Sequence, residues 1–234
     1  MANFGFARLT VVAPYEPHWR EARSAIGAPD LLQSAKRTES LAEAVKDCTL
    51  VIGTGTLTHR KPEQPVISLP ALPDLAQREF TGGGRIALVF GPEKHGLTRD
   101  DLSYCQFLVE IPTDARQPSM NLGQAAAVCL YELSAHAGSS RDAATNGPRL
   151  QQAAPPPEPP EHRTARSSGN LEALASLIEE VMIKANYSPQ NMRAANRHSV
   201  RLLLRRLNLN ALDNRRILGF LRRVLWRLRR PPSP

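Results

Sequence analysis

Cysteine is scarce: Cys48, Cys105 and Cys129 are odd in number, widely spaced and contain no Cys-x-x-Cys pair. This excludes a disulfide framework or a structural zinc site and leaves reduced thiols packed in a core. His18, His59, His95, His136, His162 and His198 show no metal-ligand spacing, so no metal is expected. No apolar run approaches the roughly 18 residues that a membrane-spanning helix needs, and an integral helical membrane protein is excluded. Residues 1 to 8 hold no basic stretch followed by an apolar one, nothing there reads as a secretory signal, and the expected compartment is the cytoplasm. No internal repeat is visible.

What is present is a folding composition, with 41% hydrophobic and 22% charged residues in a chain of 234. That length suits one sizeable domain, or a medium domain with a small appendage. The charge is unevenly placed. Residues 1 to 169 carry 17 Lys and Arg against 18 Asp and Glu, a net of −1, whereas residues 170 to 234 carry 13 against 4, a net of +9. A basic excess confined to one segment points to a polyanion, with nucleic acid the leading partner. The plain alternative is a solvated basic tail.

Between Ala137 and Ser168 the chain turns to Gly, Ser, Ala and Pro, culminating in the run from Pro155 to Pro160. This reads as a linker, partly polyproline II. Upstream, Leu9–Ala13, Leu50–Gly53, Ile86–Phe90 and Phe107–Ile111 read as buried strands bounded by Gly or Pro. Helical stretches alternate with them at Trp19–Ile26, Leu41–Val45, Leu72–Phe80, Thr98–Tyr104 and Asn121–Ala137. Such alternation predicts an α/β domain built on a parallel sheet.

Downstream, Leu171, Leu174, Leu177, Ile178, Val181 and Met182 form one helical face. Further helices are predicted over Pro189–Leu207 and Asp213–Arg229, with Asp213 as N-cap. Packed as a small bundle, they would present Arg193, Arg197, Arg201, Arg205, Arg206, Arg215, Arg216, Arg222 and Arg223 outward as forks for phosphate. The spacing also fits a helix-turn-helix DNA reader. Trp226 reads as a bundle residue rather than a base-stacking platform.

In open parallel sheets, ligands bind beyond the carboxyl ends of the strands. Three loops occupy such places. The first is Thr54-Gly55-Thr56-Leu57-Thr58-His59-Arg60, small and hydroxylated. The second is Gly91-Pro92-Glu93-Lys94-His95-Gly96-Leu97, where two glycines bracket a carboxylate, followed by Thr98-Arg99-Asp100-Asp101, a capping box. The third runs from Pro112 through Pro118-Ser119-Met120-Asn121 to Leu122-Gly123-Gln124-Ala125, with Ser and Asn at the start of a helix. Taken singly, these features are ordinary turns and caps.

Together, Leu88-Val89-Phe90-Gly91-Pro92-Glu93 with Gly96-Leu97-Thr98, then Ile111-Pro112 with Ser119-Met120-Asn121-Leu122-Gly123-Gln124-Ala125 and Tyr131-Glu132-Leu133, closely resemble the second and third motifs of the SpoU, or TrmH, family of RNA ribose 2′-O-methyltransferases in the SPOUT superfamily. The resemblance runs from about Asn3 to Leu133 and is closest to the TrmJ type, whose members methylate the tRNA anticodon loop and carry a small helical C-terminal extension.

The resemblance implies an α/β sheet ending in a trefoil knot, an exception to the usual absence of knots. It divides the chain into a methyltransferase domain over 1–136, a linker over 137–169 and a basic helical RNA-binding extension over 170–234. It further implies a homodimer that binds S-adenosylmethionine through positions matching Thr54, Gly55, Thr56, Gly91, Ile111, Pro118, Ser119, Met120 and Leu122, with Glu93, Ser119 and Asn121 ordering the catalytic site and tRNA gripped by Arg60 and the C-terminal arginines. One part departs from the pattern. The family precedes its Asn-x-Gly turn, here Asn3-Phe4-Gly5, with a strand, an Asn-x5-Arg loop and a helix; here Asn3 and Arg8 are separated by four residues, and Arg8 reads as structural. The expectation is therefore a methyltransferase whose first motif lies ahead of residue 1, with a noncatalytic RNA-binding relative as the alternative.

Overall fold

The computed structural model describes residues 1–14, 19–21, 27–55, 61–142 and 167–229. Six strands form, β1 Thr10–Val12, β2 Lys36–Thr38, β3 Leu50–Thr54, β4 Val66–Ser68, β5 Ile86–Val89 and β6 Phe107–Glu110. β1 and β2 pair in parallel as a separate two-stranded sheet, and the remaining four form a parallel sheet in the order β4-β6-β3-β5. All five residues of β3 are buried, which explains why Leu-Val-Ile-Gly-Thr lacks polar alternation: a strand covered on both faces has no solvent side.

The helices preceding the basic segment are α1 Pro29–Gln33, α2 Leu41–Val45, α3 Leu72–Thr81, α4 Arg99–Leu102 and α5 Leu122–Asp142. Side-chain alternation along the strands feeds two cores. Val51 and Leu108 pack with Val45, Cys48, Tyr104 and Cys105 on one face, while Leu50, Ile52 and Val109 pack with Leu69, Leu72 and Cys129 on the other. Gly53 falls on the first face, where a Cβ would sit 2.9 Å from both Cys105 Sγ and Leu108 Cδ2. Gln106, just before β6, continues the sheet pairing with its side chain, accepting from Val51 N at 2.9 Å and donating to Thr49 O at 3.1 Å.

Three further helices, α6 Ser168–Lys184, α7 Arg193–Leu207 and α8 Ala211–Leu228, enclose a third core of Leu171, Leu174, Ala175, Val200 and Leu204. Residues 143–166 of the expected linker lie outside the described residues; α5 extends through Asp142, beyond the expected boundary at 136, and α6 begins inside the expected linker. Ser168 N donates to Cys48 O at 2.8 Å and Gly169 N to Lys46 O at 2.9 Å, so α6 starts directly against the end of α2.

Several local expectations need correction. β2 and β4 go beyond the expected strands: each is only three residues long, too short to show a period, and Lys36-Arg37-Thr38 is also charged. The N-cap of α8 is Asn210, whose side chain accepts from Asp213 N at 2.9 Å; Asp213 occupies the first turn, where its charge suits the helix dipole. Of Trp19–Ile26, only the 3-10 turn Trp19–Glu21 lies among the described residues.

Candidate functional site

β3, β5 and β6 are parallel and in register, with Gly53 opposite Val89 and Thr54 opposite Val109. Their following loops therefore leave one edge of the sheet. Thr54 is buried, and its hydroxyl donates to Val89 O at 3.0 Å, tying the two strand ends together. Gly55 is exposed with open space around it. Thr56 and Arg60 lie outside the described residues.

The loop after β5 folds tightly on itself. A Cβ on Gly91 would lie 2.2 Å from Gly96 C and 2.3 Å from Leu97 N, a separation that no other residue could accommodate without moving backbone. Gly96 N closes the turn on Pro92 O at 2.8 Å, Gly96 itself has a φ of 65°, and Leu97 is buried as the anchor. Thr98 and Asp101 then form the expected capping box, with Thr98 N donating to Asp101 Oδ2 at 2.9 Å and Asp101 N to Thr98 Oγ1 at 3.1 Å.

This fold leaves Glu93 exposed at the tip, and it meets the third loop there. Glu93 Oε1 accepts from Asn121 Nδ2 at 2.8 Å and from Leu122 N at 3.3 Å. Asn121 Oδ1 in turn accepts from Gly123 N at 2.8 Å. Asn121 thus caps α5 and simultaneously bonds the Glu93 carboxylate, which sets negative charge at the positive end of that helix. The cap of α5 and the bridge between the second and third loops are one arrangement.

The remainder of the third loop is braced by its own turns. Thr113 Oγ1 donates to Pro118 O at 3.3 Å, Gln117 N to Asp114 O at 2.9 Å, and Arg116 Nε and Nη2 to the Asp114 carboxylate at 3.0 and 2.9 Å. The Arg116 guanidinium holds the Asp114 carboxyl below the usual carboxylate range. Ile111, Pro118 and Met120 are half-buried, whereas Ser119 and Leu122 are exposed. The edge therefore offers loop backbone, a few apolar side chains and the Glu93–Asn121 pair.

The expected outward array of arginines is only partly realised. Arg193, Arg206, Arg215, Arg216, Arg222 and Arg223 are exposed; Arg197 is also exposed but forms a bidentate pair with Glu179 at 2.9 and 2.8 Å. Arg201 and Arg205 do not face outward. They are 4% and 7% exposed and point into the contact between α7 and the sheet domain. Arg201 bonds Asp100 at 2.7 Å and Glu172 at 3.0 and 3.1 Å, and both guanidiniums lie over the Tyr104 ring, at 4.3 and 5.4 Å. Burial lowers Arg205 to about 10, which still leaves it a cation at neutral pH. Sequence reasoning also missed Tyr104, Asp100, Glu172 and the contact of His198 Nε2 with Glu63 Oε1 at 3.3 Å; the available signal was that Val200, Leu204, Arg201 and Arg205 share one helical face.

The cysteines are free and buried, with burial pushing Cys105 to about 12 and Cys129 to about 11. Among the described residues no cluster of three or more His, Cys, Asp or Glu is arranged to hold a metal, and no helix is long and apolar enough to cross a membrane.

A parallel sheet whose strands β3, β5 and β6 end at one carboxyl edge, with helices packed on its two cores, defines an α/β domain. Residues 1–131 match the SpoU rRNA Methylase family, and the chain belongs to that family. It is 37% identical over 134 residues to a tRNA (cytidine/uridine/adenosine-2′-O-)-methyltransferase TrmJ of Pseudomonas aeruginosa strain UCBPP-PA14, covering 57% of this chain and 52% of that protein. It is 29% identical over 227 residues to a tRNA (cytidine/uridine-2′-O-)-methyltransferase TrmJ of Pectobacterium atrosepticum, covering 96% and 86%. The chain spans about half the length of the Pseudomonas relative. Among solved structures, TrmJ from Z. mobilis ZM4 superposes with a TM-score of 0.75 at 28% identity, covering 96% of this chain and 89% of that one.

Proposed function

We propose that the chain is an S-adenosylmethionine-dependent tRNA ribose 2′-O-methyltransferase of the cytoplasm, acting on a cytidine or uridine of the anticodon loop. The observation that carries this reading is the bond from Asn121 to Glu93 at 2.8 Å, which holds the family's second and third motifs together at the carboxyl edge of the sheet. The names of the TrmJ relatives supply the substrate class, a tRNA 2′-oxygen. We further read the loops as threaded into the trefoil knot of the family and the working form as a homodimer with the site near the subunit boundary.

The residues present fit the cofactor. Gly55 leaves the end of β3 free of side chains, Ile111, Pro118 and Met120 give half-buried apolar surface, and Glu93 places a carboxylate at the rim. When bound, S-adenosylmethionine supplies a methyl group on a cationic sulfonium, which needs little activation. The protein's task is alignment: exposed Arg193, Arg206, Arg215, Arg216, Arg222 and Arg223 neutralise RNA phosphates, and the grip orients one ribose oxygen in line with the methyl. The 2′-hydroxyl proton must also be accepted. In the family that part falls to the arginine of an Asn-x5-Arg pattern, a spacing that Asn3 and Arg8 do not have; the second reading is an RNA-binding protein of the same fold without turnover.

The test is incubation of unmodified tRNA with methyl-labelled cofactor and two proteins: the 234-residue chain, and the same chain preceded by the strand, Asn-x5-Arg loop and helix of a relative. Label in the RNA from the extended protein is the expected result. No label from either, with tRNA still bound, would establish the noncatalytic reading.

A further inference from the structure

The outward side of α8 combines apolar and cationic groups. Phe220 is 67% exposed and Trp226 40%, with Arg215, Arg216, Arg222, Arg223 and Arg227 exposed around them. The helix carries a single acid, Asp213, in its first turn. Trp226 also borders a groove of about 380 Å³ between α6 and α8, shared with Leu177, Leu225, Glu180, Arg222 and Arg229. Glu180 and Arg229 pair with each other at 2.5 Å, and the guanidinium of Arg223 lies 4.1 Å over the Trp226 ring. Trp226 is thus only partly covered by the bundle.

We propose that this groove receives an unpaired nucleobase of bound RNA, with Trp226 as the stacking wall and Arg222 and Arg223 holding the adjoining phosphates. Leu177 and Leu225 offer apolar surface to a flat ring, and the volume accommodates one base with space to spare. Charge selects the occupant. A second copy of α8 would bring like charges together, whereas a polynucleotide neutralises them while supplying the aromatic faces that Trp226 can stack. Stacking requires a base freed from its helix, so the groove favours loops and single strands over duplexes. The proposal deepens the functional reading above and depends on it only for RNA as the partner.

Trp19→Phe leaves Trp226 as the only tryptophan of the full chain, so its fluorescence reports the groove. Titration with an unstructured oligoribonucleotide should quench that emission. In a non-fluorescent readout such as anisotropy of labelled RNA, Trp226→Ala should weaken binding about tenfold and Trp226→Phe much less. Inorganic polyphosphate, which has charge but no bases, should bind wild type and Trp226→Ala alike. Equal RNA affinity for wild type and Trp226→Ala would overturn the proposal, as would equal quenching by polyphosphate. A change of oligomeric state on sedimentation, without loss of RNA affinity, would assign the groove to contact between copies instead. Circular dichroism checks folding, and Trp226→Phe keeps the test valid should the alanine variant unfold. Methyl transfer is scored separately, with the extended protein described above: base-dependent quenching without transfer by that protein would sink the methyltransferase reading alone, and transfer without base dependence would sink the groove alone.

Discussion

The guanidinium of Arg201 lies 4.3 Å over the ring of Tyr104. Tyr104 follows α4, which begins immediately after the Glu93 loop, and Arg201 sits in the middle of α7. The same guanidinium bonds Asp100 on α4 and Glu172 on α6, so one side chain fixes three elements. The exposed arginines of the helical segment are therefore held at a set orientation to the loops that carry the motifs. Arg201, one of the arginines expected to face outward, builds that connection, and Arg205 lies beside it over the same ring.

Replacing Arg201 by Ala would leave Asp100 and Glu172 without their cation and uncover Tyr104. A buried pair loses heavily when one partner is removed, and with Asp100 itself largely exposed the expected loss is about 2–3 kcal/mol. Urea denaturation measures it. Hydrogen exchange should rise in both 99–104 and 193–207, whereas Arg216→Ala, on the exposed face, should change stability by under about 0.5 kcal/mol.

Glu93 and Asn121 should behave as a unit. Glu93→Ala and Asn121→Ala are each expected to lower methyl transfer by the extended protein about tenfold, a typical loss for a charge-assisted hydrogen bond. The double variant should lose little more than either single one. A double-mutant cycle on transfer rates checks this, and additive losses would show that the two residues act separately.

Gly91→Ala places a methyl against the backbone of Gly96 and Leu97, at 2.2 and 2.3 Å. The loop must open to admit it, at a cost of about 2 kcal/mol or more. Thermal melting should register the loss, and calorimetry should show weakened cofactor uptake. Gly55→Ala meets open space and should leave stability nearly unchanged.

Burial raises Cys105 and Cys129 from the ordinary 9.0 to about 12 and about 11. Between those values and 9 the folded state holds protons that the unfolded state has released. Their contribution to stability is accordingly full below pH 9 and is lost as pH rises through 11 to 12. Denaturant midpoints should decline over that alkaline range, less so in a Cys129→Ala and Cys105→Ala background. At pH 8 native protein should react with a thiol reagent only as fast as it unfolds.

The sequence made much of this molecule legible. Leu50–Thr54 announces a doubly covered strand, Thr98 and Asp101 announce their own capping box, and the glycines at 91 and 96 bracket a loop that must turn sharply. Short elements escaped it: Lys36-Arg37-Thr38 pairs with β1 over three residues, of which only Thr38 is buried, too few to show a period. Asn210 outcompeted Asp213 as the cap of α8 because the chain turns at Asn208, in the left-handed region with a φ of 46°, and the helix starts at Ala211.

Local rules of this sort depend on neighbours within a few positions, and the amino-acid order by itself determined them, along with the family motifs and the concentration of positive charge beyond residue 170. Only the tertiary structure decided which arginines meet solvent and which meet Tyr104, that Glu93 reaches Asn121, and that Trp226 borders a groove. Helical periodicity defines a face but not what covers it; that depends on contacts between segments far apart in the chain, whose encounter is set by the packing of the whole.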